Sequence, residues 1–447
     1  MRPIGIDLFA GAGGMSLGFE QAGFDVKAAV EIDPVHCATH KFNFPKCAVM
    51  PRSVEGLKGS EIRVAAGLGN RTVDVVFGGA PCQGFSMIGQ RVLDDPRNRL
   101  VRDFLRIVSE LDATYFVFEN VKGLTVGKHR KFLDEFIEYA DSLGYQVRQP
   151  WHVLDAANYA VPQHRERLIL FGAKKDAVLP EYPKPWTNPA DGKRKVFPDL
   201  PKGPSVSDAL DDIPDAENFE ELRNSDETMI DNWIEGSPYA KEMRCLTNTS
   251  WHQGEIRDWN PALLTSSART EHTAISRRRF SETIGGTTEP ISRLYKLRPG
   301  GLSNTLRAGT DGARGAFTSP RPIHSTYNRC VTVREMARLH GYPDWFRFNE
   351  TKWHGARQIG NSVPPPLARA VAIEVIRSGN YSVAPVTGSV ALGDESLLRL
   401  TVSEAAKRFG IKAPSSKRTM KSGAKKRKQS EIEATHSLEP RAKRAFS

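Results

Sequence analysis

The strongest constraint in this chain is a rhythm within its first 175 residues. Short apolar segments recur there, and each ends in glycine or polar residues. Ile4–Phe9 runs into Ala10-Gly11-Ala12-Gly13-Gly14, and Val26–Val30 ends at Glu31. Val73–Phe77 precedes Gly78-Gly79-Ala80-Pro81-Cys82, Tyr115–Phe118 precedes Glu119-Asn120, and Leu168–Phe171 precedes Gly172. Helix-like stretches lie between them, at Met15–Ala22 (stopped by Gly23) and Arg102–Leu111. Alternation of this kind predicts an α/β fold built on an open, doubly wound sheet. In such sheets ligands bind beyond the carboxyl ends of the strands, where these Gly and polar residues fall.

Near Lys174 the composition changes. Residues 179–325 are rich in Pro, Trp, Asn, Asp and Thr and lack periodicity, which predicts a smaller, loop-rich domain. Helices are expected at Val333–His340 and, after Pro364-Pro365-Pro366, at Leu367–Arg377, since Pro is tolerated at a helix start. The expected organisation is a catalytic domain over 1–178, a variable domain over 179–325, a return segment over 326–380 and a linker with a basic, disordered tail over 381–447. A short helix within that last part is expected at Thr401–Phe409.

Net charge is +11, but its distribution matters more than its sum. From Lys407 onward thirteen Lys and Arg face three acids, so residues 1–406 carry a net charge of only one. Global basicity is therefore no argument for nucleic-acid binding by the body of the protein; a local surface would have to provide it. The tail reads as an electrostatic arm. Five cysteines without regular spacing do not form a disulfide framework and suit a reducing cytoplasm. No apolar run of membrane-spanning length occurs, and the first residues lack a signal-peptide pattern. His36, Cys37, His40 and Cys47 fit no standard metal spacing, and no metal is expected.

Five motifs carry chemistry. The turn Asp7-Leu8-Phe9-Ala10-Gly11-Ala12-Gly13-Gly14 lets a ligand approach backbone closely, and Glu31 is placed to accept ribose hydroxyls. Ser16 stands where a dinucleotide fingerprint has its third Gly or Ala, which disfavours nicotinamide cofactors and an oxidoreductase. Cys82, in a polar Gly-Gly-Ala-Pro loop, has the setting of a reactive thiolate rather than of a core residue. Glu119 ends a strand on the same sheet edge. Gln163, Arg165 and Arg167 share one face of an extended segment, and Gly360-Asn361-Ser362-Val363-Pro364 forms a turn before a helix.

Taken together and in this order, the segments DLFAGAGG, GGAPCQGFS, FVFENV, QHRERLILFG, RCVTVREMARLHGYPDWF and QIGNSVPPPLARA, with the strand end at Glu31, resemble the DNA cytosine-5 methyltransferases of bacterial restriction–modification type. The resemblance covers nearly all of residues 1–175 and 320–378. It implies a Rossmann-like S-adenosylmethionine-dependent domain with a target-recognition domain inserted. It implies methyl transfer to C5 of cytosine in a specific double-stranded DNA sequence, through a covalent adduct at C6 of a flipped-out base. Phe9, Gly11 and Gly13 match the cofactor turn, Glu31 the ribose ligand and Pro81 the loop beside the cofactor. Cys82 matches the nucleophile, Glu119 the carboxylate at the target base, and Arg165 and Arg167 the arginines near the flipped cytosine and its phosphate. Asn361 and Ser362 match the turn that closes over the cofactor. Where the family often has an Asp for the adenine amino group, this chain offers Arg52, Ser53 and Glu55. The loop 83–99 is the expected closing loop. Arg269, Arg277, Arg278, Arg279, Arg307 and Arg314 are candidates to touch DNA. The resemblance further implies a monomer and a cognate restriction endonuclease acting on the same site. A tRNA methyltransferase on the same scaffold is the nearest rival, and a binding protein that has lost catalysis is a second. The large variable region favours duplex DNA over the first; retention of Cys82, Glu119 and both arginines argues against the second.

Overall fold

A computed structural model describes residues 2–81, 98–125, 130–193, 196–309 and 320–413. One sheet organises them. Its parallel strands are β1 (Ile4–Leu8), β2 (Asp25–Glu31), β3 (Ala48–Pro51), β4 (Val75–Gly78) and β5 (Tyr115–Val121). The later strands are β6 (Tyr145–Val147), β7 (His152–Asp155) and β8 (Glu166–Lys174); β8 runs antiparallel to β5, and β6 and β7 pair antiparallel along its other edge. The order β3-β2-β1-β4-β5-β8-β6 reverses direction between β1 and β4. That reversal is the topological switch point, where a crevice opens beyond the strand ends. β1 and β4 are buried along their whole length, which explains their near-continuous apolar sequences.

The layers follow from periodicity. α1 (Gly14–Ala22), α2 (Pro34–Asn43), α3 (Gly59–Ala65), α4 (Arg99–Glu110) and α5 (Arg130–Ser142) link the strands. α4 buries Val101, Phe104, Leu105, Ile107 and Val108, the spacing of one helical face, against the sheet. Across 179–325 the elements are short: α6 (Val206–Leu210), α7 (Pro238–Met243), α8 (Ala274–Glu282), β9 (Thr228–Met229), β10 (Ile256–Asp258) and β11 (Leu263–Leu264). Their apolar residues, Leu210, Ile230 and Leu264 among them, join the cluster that holds Phe19, Phe77 and Val371.

The chain then returns to the sheet through α9 (Val333–Leu339), α10 (Lys352–Asn361) and α11 (Pro365–Ser378). α11 crosses α1 so closely that a Cβ on Gly18 would strike Ala368 and the Pro365 carbonyl, a proximity that only glycine permits. The short helix expected at Thr401–Phe409 forms over Val402–Arg408, but the expected linker before it is folded in the structure. β12 (Ser389–Ala391) pairs with β10, and α12 (Val402–Arg408) and the turn Glu395–Leu398 pack on α2, where Leu397, Leu398, Ala38 and Phe42 form a small core. A few leucines within a polar stretch were enough to anchor it. The expected disordered tail, from 414 on, lies outside the described residues. Among the described residues no helix is long and apolar enough to cross a membrane.

Candidate active site

The turn after β1 is left-handed at three positions, Phe9 (φ 61°), Gly11 (φ 55°) and Gly13 (φ 104°). Two are glycines; Phe9 is a bulky L-residue held where such residues cost about 1–2 kcal/mol. Glu31, at the end of β2, fastens this turn. Its Oε2 accepts from Gly11 N at 2.9 Å and its Oε1 from Asp33 N at 2.8 Å. A carboxylate has about four acceptor positions, so capacity remains toward the crevice.

Beyond β4 the backbone of Ala80 is held by Asn120 Nδ2, 2.8 Å from the Ala80 carbonyl. Glu119 and Asn120 lie within β5 rather than after it, one strand away from this loop. Glu119 reaches over Gly79, whose missing side chain leaves the space: a Cβ there would collide with Glu119 Oε2. From β8, Arg167 Nε meets Glu119 Oε1 at 2.7 Å, and Arg167 also donates to Glu166 O at 2.8 Å. Both partners of the ion pair are largely buried.

A cavity of about 490 Å³ joins these parts. Phe9, Gly11, Glu31, Pro81, Glu119, Asn361 and Ser362 line it together, although they come from opposite ends of the chain. Asn361 is the last residue of α10 and Ser362 its C-cap, its hydroxyl donating to Ile359 O at 2.9 Å. The motif alone indicates a turn before a helix; that it ends the helix α10 was not evident from the sequence. Gly13 is not part of the lining; it caps α1. Pro81 is the last described residue before Cys82, and Cys82 itself lies outside the described residues, as does most of the loop 83–99.

Arg165 departs from expectation. It is 2% exposed and absent from the cavity wall. Its guanidinium donates to three carbonyls, Leu306 O (2.9 Å), Gly360 O (2.8 Å) and Ser362 O (2.8 Å). Alternation did place Arg165 and Arg167 at one rim, but Arg165 gives its two Nη groups to backbone, with Nε unpartnered among the described residues, and of the two only Arg167 bonds Glu119.

Asp7 is a residue the sequence reading quoted without giving it a role. It lines the cavity at 1% exposure, and burial pushes its carboxyl up to about 8. Its Oδ2 accepts from the Ser16 hydroxyl at 2.6 Å, and among the described residues Oδ1 has no hydrogen-bond partner. Ser16 also meets His40 Nε2 at 3.0 Å, and burial pushes that imidazole down to about 3. The serine that broke the dinucleotide pattern thus bonds one oxygen of a buried acid. Of the three candidates near the adenine position, Arg52 and Ser53 line the cavity, whereas Glu55 pairs with Arg99 at 2.6 Å.

Elsewhere, Cys37 donates to Glu31 O at 3.3 Å and Cys47 is buried with its thiol pushed up. Among the described residues no group of three His, Cys, Asp or Glu is arranged to hold a metal. Several of the candidate DNA-contacting arginines lie beside carboxylates. Glu217 holds Arg277 at 2.8 and 2.7 Å, Glu271 holds Arg269 at 2.9 Å, and Glu282 holds Arg278 at 3.0 Å. Arg279 lies 3.6 Å from Glu289, Arg307 is exposed, and Arg314 is outside the described residues.

Comparison with known proteins agrees with this geometry. Residues 4–377 match the family described as C-5 cytosine-specific DNA methylase. The chain is 54% identical to the type II methyltransferase M.XorII of Xanthomonas oryzae, over 92% of this chain and 93% of that protein. It is 32% identical to the type II methyltransferase M1.HphI of Haemophilus parahaemolyticus, over 83% and 86% of the two chains. Among solved structures, an Escherichia coli prophage-encoded protein described as a DNA modification methyltransferase superposes with a TM-score of 0.66 at 30% identity, over 85% of this chain and all of that one. With its strand order, its cavity and its motifs in one place, the chain belongs to the C-5 cytosine-specific DNA methylases and is a DNA (cytosine-5)-methyltransferase.

Proposed function

We propose that this enzyme methylates C5 of cytosine within one short duplex sequence, with Cys82 as covalent nucleophile and the target base flipped out of the helix. The observation that carries the reading is the single cavity running from Glu31 and Phe9 to Glu119. A methyl donor and a base held in one enclosed space can react; a stacked base cannot reach it, and flipping costs a few kcal/mol.

The residues present fit S-adenosylmethionine. Glu31 retains acceptor capacity for two ribose hydroxyls. Among the described residues Asp7 Oδ1 has no hydrogen-bond partner, which leaves a buried oxygen on the cavity wall to accept from the amino group of the methionine moiety. Phe9 and Ile32 offer apolar surface, and the Ser53 hydroxyl is at hand for the adenine edge in place of an acid. Bound there, S-adenosylmethionine supplies an electrophilic methyl group.

The protein's own work is on the base. Cys82 as thiolate adds to C6, and the C5=C6 electron pair moves into the ring as an enamine, which makes C5 nucleophilic. Glu119 shares the proton at N3, relieving the charge that the addition creates; such assistance is worth about 10²- to 10⁴-fold. Arg167 fixes the Glu119 carboxylate and brings positive charge to the same edge of the base. After transfer, loss of the C5 proton expels Cys82 and restores the ring.

Sequence choice is assigned to the region 179–325, acting as a monomer on duplex DNA, with exposed Arg307 as one contact. The family resemblance suggests a modification role paired with an endonuclease that cuts the same site. Duplex DNA carrying 5-fluorocytosine tests the chemistry, because fluorine at C5 cannot leave as a proton. With cofactor, the wild type should form an adduct that survives denaturing electrophoresis and Cys82→Ser should not. An adduct with Cys82→Ser would reject Cys82, and an adduct on tRNA alone would reject DNA as substrate.

A further inference from the structure

Behind the cavity wall lies a buried polar network that the reaction does not touch. Gln163 and His340 are fully buried and Arg165 nearly so. Gln163 Oε1 accepts from Leu306 N at 3.1 Å, which fixes its Nε2 as the donor. That Nε2 lies 3.2 Å from Leu339 O and 2.9 Å from His340 Nδ1. His340 Nδ1 is therefore an acceptor, so the proton sits on Nε2, which donates to Ser362 O at 3.1 Å. The imidazole is neutral; burial and the nearby Arg165 charge hold its pKa well below the usual range. Arg165 completes the node on Leu306 O, Gly360 O and Ser362 O.

The carbonyls at the end of α10 have no partner within the helix. Here a guanidinium and an imidazole supply the donors, and Ser362 O receives both. Favourable placement of a cation at a helix C-terminus adds to this. The residues so held, Asn361, Ser362 and Val363, are cavity wall.

We propose that Arg165 and His340 are positioning residues for the cofactor turn. By fixing the carbonyls of Gly360 and Ser362 from behind, they set where Asn361–Val363 meet the cofactor, while Arg167, two residues along β8, serves the base. This rests on reading the cavity as the S-adenosylmethionine site.

The test is calorimetric titration of the full chain with S-adenosylhomocysteine, alongside kcat and KM. Arg165→Lys keeps the charge but cannot span three carbonyls, and His340→Leu removes the imidazole donor. Each should weaken binding about tenfold or more and raise KM for S-adenosylmethionine with kcat changed less than about threefold. His340→Gln, which can present an amide donor near the imidazole Nε2, should bind within about threefold of wild type. A general loss of folding would not be rescued by glutamine in this way, and the histidine pair decides the matter if Arg165→Lys fails to fold. Wild-type affinity in both Arg165→Lys and His340→Leu would overturn the proposal. So would loss of kcat at unchanged affinity in Arg165→Lys, which would return Arg165 to the reacting atoms. If the wild type itself does not bind S-adenosylhomocysteine, the reading of the cavity fails first.

Discussion

Glu119 Oε1 and Arg167 Nε stand 2.7 Å apart across β5 and β8, which run antiparallel beside the cavity. The pair is largely shielded from water, so its geometry is held by charge-assisted bonding rather than by exposed side chains settling on one another. Glu119→Gln keeps the shape and removes the acid. Single-turnover methylation should fall about a hundredfold or more while S-adenosylhomocysteine affinity stays within about threefold. A loss of affinity with an unchanged rate would place Glu119 in cofactor binding instead.

Glu31 holds Gly11 and Asp33 by backbone bonds and faces the cavity. Glu31→Ala removes a charged acceptor worth about 1.5–3 kcal/mol per bond, so cofactor affinity should drop by about tenfold or more for each ribose bond lost. Equilibrium binding without DNA reads this directly, and an unaltered Kd would contradict the ribose assignment.

Asp7 gives a pH signature. Its folded pKa is raised to about 8, against about 3.9 for an unfolded aspartate. Between these values the folded chain keeps the proton that the unfolded chain has lost, so this group makes stability fall as pH rises through the window from about 4 to about 8. Asp7→Asn, which does not titrate, should flatten that part of the profile. Urea unfolding midpoints at about pH 5 and about pH 8 check it; identical slopes in both proteins would refute it.

Buried and exposed arginines should behave oppositely. Arg338 is bonded to Asp212 and Asp344 in the interior, whereas Arg278 is exposed beside Glu282. Arg338→Met strands two buried carboxylates and should cost about 3–5 kcal/mol in denaturant unfolding. Arg278→Ala should change stability by less than about 1 kcal/mol. Similar losses in the two variants would mean that the Arg338 network is not a structural one.

Much of this was legible in the sequence because the site is made of strand ends. Apolar runs that stop at Gly11, Glu31, Pro81 and Glu119 locate the cavity rim before any contact is known. Other features depend on tertiary environment, which local pattern does not carry. Arg165 and Arg167 share a strand face, yet one meets backbone carbonyls from residues 306–362 and the other meets Glu119. α9 reads as an ordinary mixed helix, but Arg334 and Arg338 are buried because partners arrive from distant segments, and Glu335 is buried against Arg329 and Thr332 just before it. The helix at Val402–Arg408 was legible, but the stretch before it looks like linker by composition, and only its fit against α2 and β10 makes it part of the body.

Sequence-specific C5 methylation through Cys82 can be read by bisulfite sequencing of plasmid DNA from cells expressing the wild type or Cys82→Ala. Protected cytosines are expected in one short recurring sequence with the wild type and none with Cys82→Ala. Protection that persists in Cys82→Ala, or no protection with soluble wild-type protein, would contradict it.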